Sequence, residues 1–281
     1  MRSVFITGAT GGIGVPTVRL LAERGYRVFA GVRDADKARV FDGLEHVLPV
    51  VLEVTDEGSV AEAARDIGRL LGGDTLDAVV NNAGLIVEGP LELVEAAELE
   101  RQFRVNVFGP AAVIRAFLPL LRASRGRIVN VTAPTARRAM PYNGPISASK
   151  AALASLSVAL RGELAAWGIK VVMVEPTGTD TPIFALAAES ADESRRRADP
   201  YVAELYSPMI RAVRDATARL SLADPETIAS VLVRAITARR PRTRYTAGRG
   251  AALLPAVGRL PDPLADAVVA RALGLAKATP Q

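Results

Sequence analysis

The residues with the clearest chemical meaning stand at the start of the chain. Thr7-Gly8-Ala9-Thr10-Gly11-Gly12-Ile13-Gly14 follows the apolar run Val4-Phe5-Ile6 and leads into a segment with Val15, Val18, Leu21 and Ala22 on one side. Glycine at position 8 permits a tight turn. At position 12 it lets backbone approach a pyrophosphate, and at position 14 it lets a helix lie close to a sheet. The helix start then offers free N–H groups and a partial positive charge to a phosphate. Placed at the first strand-to-helix turn, this pattern points to a bound dinucleotide, with Thr7, Gly8, Thr10, Gly12, Ile13 and Gly14 as its cradle. The next apolar run ends Ala30-Gly31-Val32-Arg33. A carboxylate there would hold a ribose 2′-hydroxyl, whereas an arginine suits a 2′-phosphate. Arg33 therefore favours NADP(H) over NAD(H), although Asp34 beside it weakens the distinction.

The elements that must position these groups read as alternating short apolar runs and longer helical patterns, the signature of βαβ units and a parallel sheet. Strands are expected at Arg2–Ile6, Arg27–Val32, Val47–Val54, Leu76–Val80, Gly126–Val131, Lys170–Val174 and Arg244–Ala247. Helices are expected at Ile13–Arg24, Ala35–Phe41, Gly58–Leu71, Ala96–Arg122 (one long or broken helix), Ile146–Ala166, Tyr201–Leu220, Pro225–Ala238 and Pro261–Leu275. The stretch from Pro176 to Pro200 has no convincing period and reads as a long loop over the site. The expected fold is a Rossmann-type, doubly wound α/β sheet with a C-terminal helical extension. It forms one domain over residues 1–281, with a cofactor half to about residue 135 and a substrate lid over about 177–222.

Composition narrows the function classes. The 281 residues include no cysteine and one histidine, which excludes disulfides, a thiol nucleophile and a Cys/His metal cluster. The net charge of +5 comes from scattered basic residues, except Arg195–Arg197 and the group Arg239, Arg240, Arg242 and Arg244. Neither has the interleaved aromatics of a single-strand binder, so a solvated basic face and no nucleic-acid partner are expected. No stretch reads as a signal peptide or as the roughly 18 apolar residues of a membrane span. The cytosol is the default compartment, without integral membrane association.

With these features in place, the sequence resembles the short-chain dehydrogenase/reductases from Arg2 to about Thr181. The resemblance is carried by the glycine pattern, Asn81-Asn82-Ala83-Gly84, Asn106-Val107-Phe108-Gly109 and Ser149-Lys150. The stretch Arg239-Arg240-Pro241-Arg242-Thr243-Arg244-Tyr245 followed by Gly248 looks like the 17β-hydroxysteroid-dehydrogenase-like branch. The resemblance implies that Asn81, Ala83 and Gly84 lie beside the adenosine and that Glu53 stands near an adenine contact. It also implies that Asn106 holds a relay water, Lys150 binds the ribose hydroxyls, and Pro176 and Thr181 line the nicotinamide. A Thr, Thr177, stands where a Gly is usual. A homodimer or homotetramer is likewise implied.

The pattern breaks at the acid. The family's Tyr, four residues before the Lys, is Ile146 here, and its Ser, thirteen residues before the Tyr, is Ala133. A positioned general acid contributes about 10²–10⁴-fold, so ordinary ketone reduction should be poor. Tyr142 is the best substitute acid; Thr132 and Thr135 flank the vacant Ser position, and Asp180 and Glu189, in the long loop, are weaker candidates for a base reaching over the pocket. Three readings remain open. The leading one is an atypical NADP(H)-dependent oxidoreductase acting on a hydrophobic carbonyl, imine or enone. The others are a non-redox cyclase, isomerase or dehydratase that keeps NADP as scaffold, and a cofactor-sensing protein without catalysis. Phe184, Leu186, Tyr201, Tyr206, Met140 and Tyr142 suggest a large hydrophobic small-molecule substrate.

Overall fold

Strands with both faces covered must be apolar throughout, and the runs read above are of that kind. In the computed structural model, which describes residues 1–250 and 260–278, they pair in one parallel sheet. The strands are β1 (Ser3–Ile6), β2 (Arg27–Val32), β3 (Val47–Val51), β4 (Leu76–Asn81), β5 (Arg127–Val131), β6 (Lys170–Pro176) and β7 (Arg244–Ala247). Their spatial order is β3-β2-β1-β4-β5-β6-β7. The order reverses between β1 and β4, where Ile6 pairs with Ala30 on one side and Val80 on the other. Connections leave that point in opposite directions and open a crevice at the carboxyl ends of the strands, the expected place for a ligand.

Helices cover both faces. On one face α1 (Gly14–Glu23) and α8 (Pro225–Thr237) pack Val18, Leu21, Leu232 and Ile236 against Val4, Ile6, Val28 and Val172. On the other, α2 (Glu57–Leu71) and α4 (Gly109–Ser124) set Ile67, Val113, Phe117 and Leu121 against Phe5, Phe29, Val79 and Ile128. The rings of Phe5 and Phe117 stack with centroids 4.5 Å apart. The remaining helices are α3 (Ala96–Phe103), α5 (Gly144–Glu163), α6 (Pro182–Arg197), α7 (Pro200–Ala218) and α9 (Asp262–Ala272).

One open expectation is resolved and two change. Of the alternatives for Ala96–Arg122, the helix is the broken one: a π-helical turn, Arg104–Phe108, joins α3 to α4. Such an insertion redirects side chains and is frequent at functional sites; here it carries Asn106. The Ala96–Ser124 stretch is, by length and composition, apolar enough to cross a membrane, contrary to the expectation that none approaches this. Its Val113, Phe117 and Leu121, however, are used by the sheet face. Finally, Pro176–Pro200 is not a long loop, because α6 occupies most of it. Extended Thr181 leads into Pro182, whose fixed φ suits a first helical turn. The helix shows no apolar stripe because only Ala187 and Ser194 on it are buried.

Candidate active site

The phosphate loop is tied to the end of β4 by side chains. Thr7 Oγ1 accepts from Asn82 N (3.1 Å) and Ala83 N (3.0 Å), while Asn82 Nδ2 donates to Thr7 O (3.1 Å) and Gly8 O (3.0 Å). Gly8 sits at φ +63°, and a Cβ there would lie 2.8 Å from Ala83 Cα. Both the backbone conformation and the close approach therefore demand glycine. A Cβ on Gly14 would lie 2.5 Å from Ala9 O, and one on Gly12 would lie 2.6 Å from Thr181 Cβ. Thr181 thus packs onto the loop that sequence reading assigned to the pyrophosphate. Among the described residues, the N–H groups of Thr10, Gly12 and Ile13 have no hydrogen-bond acceptor. Helix α1 has neither a side-chain cap nor an acid in its first turn. The unpaired donors and uncompensated dipole fit the pyrophosphate of a dinucleotide.

At the outer end, Arg33 stands exposed just beyond β2, with no ion-pair partner among the described residues. The carboxylate of Asp34 accepts from Asp36 N at 2.9 Å, which commits it to its own turn. The ambiguity seen in the sequence is thereby reduced. Glu53 is turned toward Thr55, whose N (3.0 Å) and Oγ1 (2.9 Å) both donate to Oε1. Asn81 Nδ2 donates to Asn130 Oδ1 (2.8 Å), and Asn130 Nδ2 to Ser157 Oγ (2.8 Å). This buried chain joins β4, β5 and α5 beneath the crevice.

At the inner end, Lys150 on α5 is buried and its Nζ donates to Val131 O at 2.7 Å. The backbone of Gly84 runs beside it: a Cβ there would lie 3.6 Å from Lys150 Nζ and 3.3 Å from Asn106 Oδ1. The Asn106 amide is engaged by both main-chain groups of Leu85, at 3.0 Å each. Its side chain therefore fixes the Gly84–Leu85 segment. Gln102, which sequence reading passed over, does the same one step along. Its Oε1 accepts from Val87 N (2.6 Å), and its Nε2 donates to Leu85 O (2.9 Å) and Ser149 Oγ (3.2 Å).

The comparisons agree with this geometry. The family model described as "short chain dehydrogenase" matches residues 2–192. The chain belongs to the short chain dehydrogenase family. It is 30% identical over 278 residues to an NADPH-dependent 3-dehydrocapnine reductase of Ornithobacterium rhinotracheale, covering 95% of this chain and 96% of that protein. It is 34% identical over 282 residues to human (Homo sapiens) retinol dehydrogenase 5, covering 95% and 87%. A short chain dehydrogenase from Burkholderia cenocepacia solved in complex with NADP is 26% identical, with a TM-score of 0.74 over 95% of this chain and 96% of that one.

Against this family frame, Ile146 is buried one turn before Lys150, and Ala133 lies half-buried just past β5. Tyr142 adopts φ +66° and accepts from Gly89 N at 2.7 Å through its main-chain oxygen. Burial pushes its phenol pKa up, and among the described residues no hydrogen bond joins its hydroxyl to Lys150 or Asn106. Thr135 Oγ1 and Ser147 Oγ are buried without partners. Thr132 Oγ1 reaches Val174 O (3.4 Å). Asp180 and Glu189 are exposed, as are Phe184, Leu186 and Tyr201. A surface cavity of about 500 Å³ between Glu92–Glu95 and the α6–α7 corner is lined by neither Lys150 nor Tyr142, so it is separate from the crevice.

Pro176 ends β6, and Glu175 before it is fully buried. Arg137 Nη2 reaches Glu175 Oε2 at 2.6 Å, and Arg244 meets its Oε1. Arg244 is therefore not part of a purely solvated basic run, as the sequence suggested. It helps to anchor the loop after β5 to β6 and β7. Gly248, at φ +106°, leaves room for Thr177, whose Oγ1 occupies the place a Cβ would need.

Burial pushes the Lys150 ammonium down to about 8. The unfolded chain keeps that proton up to about 10.5, so between these values it binds more protons than the folded protein. Folding stability should therefore rise from pH 8 to 10.5, by up to about 3 kcal/mol relative to Lys150→Met. Denaturant unfolding of both proteins across that range checks this, and a constant difference would refute it.

Proposed function

We propose that this chain is an NADP(H)-dependent oxidoreductase acting on a hydrophobic carbonyl, imine or enone, without the tyrosine acid that its relatives' pattern places four residues before the lysine. The observation that carries the reading is the pairing, across one crevice, of a bare phosphate loop with buried Lys150. The bound cofactor would supply or accept the hydride. Thr10, Gly12 and Ile13 would donate main-chain N–H groups to the pyrophosphate, and Lys150 would hold the ribose hydroxyls. Asn81, Ala83, Gly84 and Glu53 would flank the adenosine, and Pro176 and Thr181 the nicotinamide.

Ile146 carries no ionisable proton, and Ala133 has no hydroxyl for a substrate oxygen. The reaction favoured is one in which the electrophile is already activated, or in which Tyr142 supplies the proton from the wall. The NADPH-dependent relative and the NADP-bound neighbour support the cofactor choice. Placement in the 17β-hydroxysteroid-dehydrogenase-like branch rests on the Arg239–Tyr245 stretch and Gly248.

Titration of the protein with NADPH, NADP⁺, NADH and NAD⁺ tests the reading, and selective NADP(H) binding is the expected result. Arg33→Ala should weaken NADPH about 10–100-fold, the worth of one charge-assisted contact, and leave NADH unchanged. Binding of none of the four nucleotides would remove the oxidoreductase reading; equal losses for both phosphorylated and unphosphorylated forms would remove the role of Arg33.

A further inference from the structure

The segment from Gly84 to Gly89 is held at both ends and along its length. Its first residue lies against Lys150 and Asn106, and the N–H of its last donates to Tyr142 O at 2.7 Å. Leu85 is clamped by Asn106, and Val87 by Gln102. The segment thus runs from Lys150 and Asn106 to Tyr142, and Glu88 is its one ionisable side chain. Glu88 is half-buried. Among the described residues its carboxylate makes no hydrogen bond and has no cation within ion-pair distance. Arg214 on α7, whose charge acts on Glu88, is engaged with Asp192 on α6 at 2.5 Å, and Arg195 reaches the same Asp192 oxygen at 3.2 Å. Two arginines therefore converge on one acid, while the neighbouring one has none. Burial pushes the Glu88 carboxyl up; Arg214 pulls it down and Asp192 adds to the rise. A carboxylate withdrawn from water in this way is costly unless a partner compensates it.

We infer that Glu88 receives a positively charged nitrogen of the substrate, so that the substrate class of this site is an iminium or ammonium compound with a hydrophobic body. The inference rests on the oxidoreductase reading and narrows it. An iminium suits a site with Ile146 in the acid position. Its carbon accepts a hydride from the reduced nicotinamide, a C–H bond forms, and the C=N π pair moves to nitrogen. The products are a neutral amine and the oxidised nicotinamide. No proton is consumed in that step, so no tyrosine is needed. Glu88 stabilises the cation before transfer and orients the carbon by holding the nitrogen.

The test compares naphthylmethylammonium with naphthylmethanol by calorimetry, using wild type and Glu88→Gln, with NADPH titrated in parallel. Wild type should bind the ammonium at least about tenfold more tightly than the alcohol, and Glu88→Gln should bring the two within about twofold of each other. Equal wild-type binding, or a preference that survives Glu88→Gln, overturns the inference. Should the variant not fold, the wild-type ratio alone decides. An ammonium preference without NADPH binding would leave the cation site standing and remove the oxidoreductase reading. NADPH binding without the preference would do the reverse.

Discussion

Ile146→Tyr combined with Ala133→Ser should raise reduction of a ketone such as tetralone by about 10²–10⁴-fold, the usual contribution of a positioned general acid. The frame for both side chains is present. Lys150 is fixed to Val131 O at 2.7 Å, Ile146 lies one helical turn before it on α5, and Ala133 stands two residues beyond Val131. A phenol at 146 would lie on the same helix face as Lys150, whose charge would favour its ionised form. Loss of nicotinamide absorbance with ketone present measures the gain. Ile146→Phe with Ala133→Ser is the control, since it has the ring without the hydroxyl and should gain nothing. If the Tyr/Ser variant binds NADPH and still reduces no ketone, the pocket differs from its relatives in more than the acid.

A second large effect is expected at Gly12. A methyl group there would enter the space of Thr181, with Thr181 Cβ only 2.6 Å away. Thr181 immediately precedes α6, so the loop and the helix cannot both keep their places. Gly12→Ala should cost about 1–3 kcal/mol of stability, as overpacking does, and should weaken NADPH by at least about tenfold by shifting the loop that offers Thr10, Gly12 and Ile13. Thr181→Gly in the same chain removes the clash. The two changes should therefore couple by about 0.5–3 kcal/mol in a double-mutant cycle read by unfolding. Additive effects would show that the loop adapts without Thr181 and that the contact is incidental.

Much of the architecture is legible because its causes are local. Arg27–Val32 and Arg244–Ala247 are strands with the bounds their apolar and β-branched runs predict. The helix after Pro176 is not legible in the sequence for an equally physical reason. Helix α6 meets the body through Ala187 and Ser194, whose small side chains leave no periodic stripe to detect. The break at Arg104–Phe108 has no local signature beyond the permitted alternative of a broken helix.

The order of residues alone determined the phosphate loop, the arginine after β2, the lysine on α5 and the aliphatic residue one turn before it. Glycine constraints, strand patterns and helical spacing act over a few residues and are written in consecutive letters. Charge pairing is not. Glu175 finds Arg137 and Arg244 at separations of 38 and 69 residues, and Gln102 reaches Ser149 across 47. Glu88 is left without the arginine that Asp192 takes. Which acids are neutralised and which remain available depends on distances in space, and those exist only once the sheet and its helices have closed around the crevice.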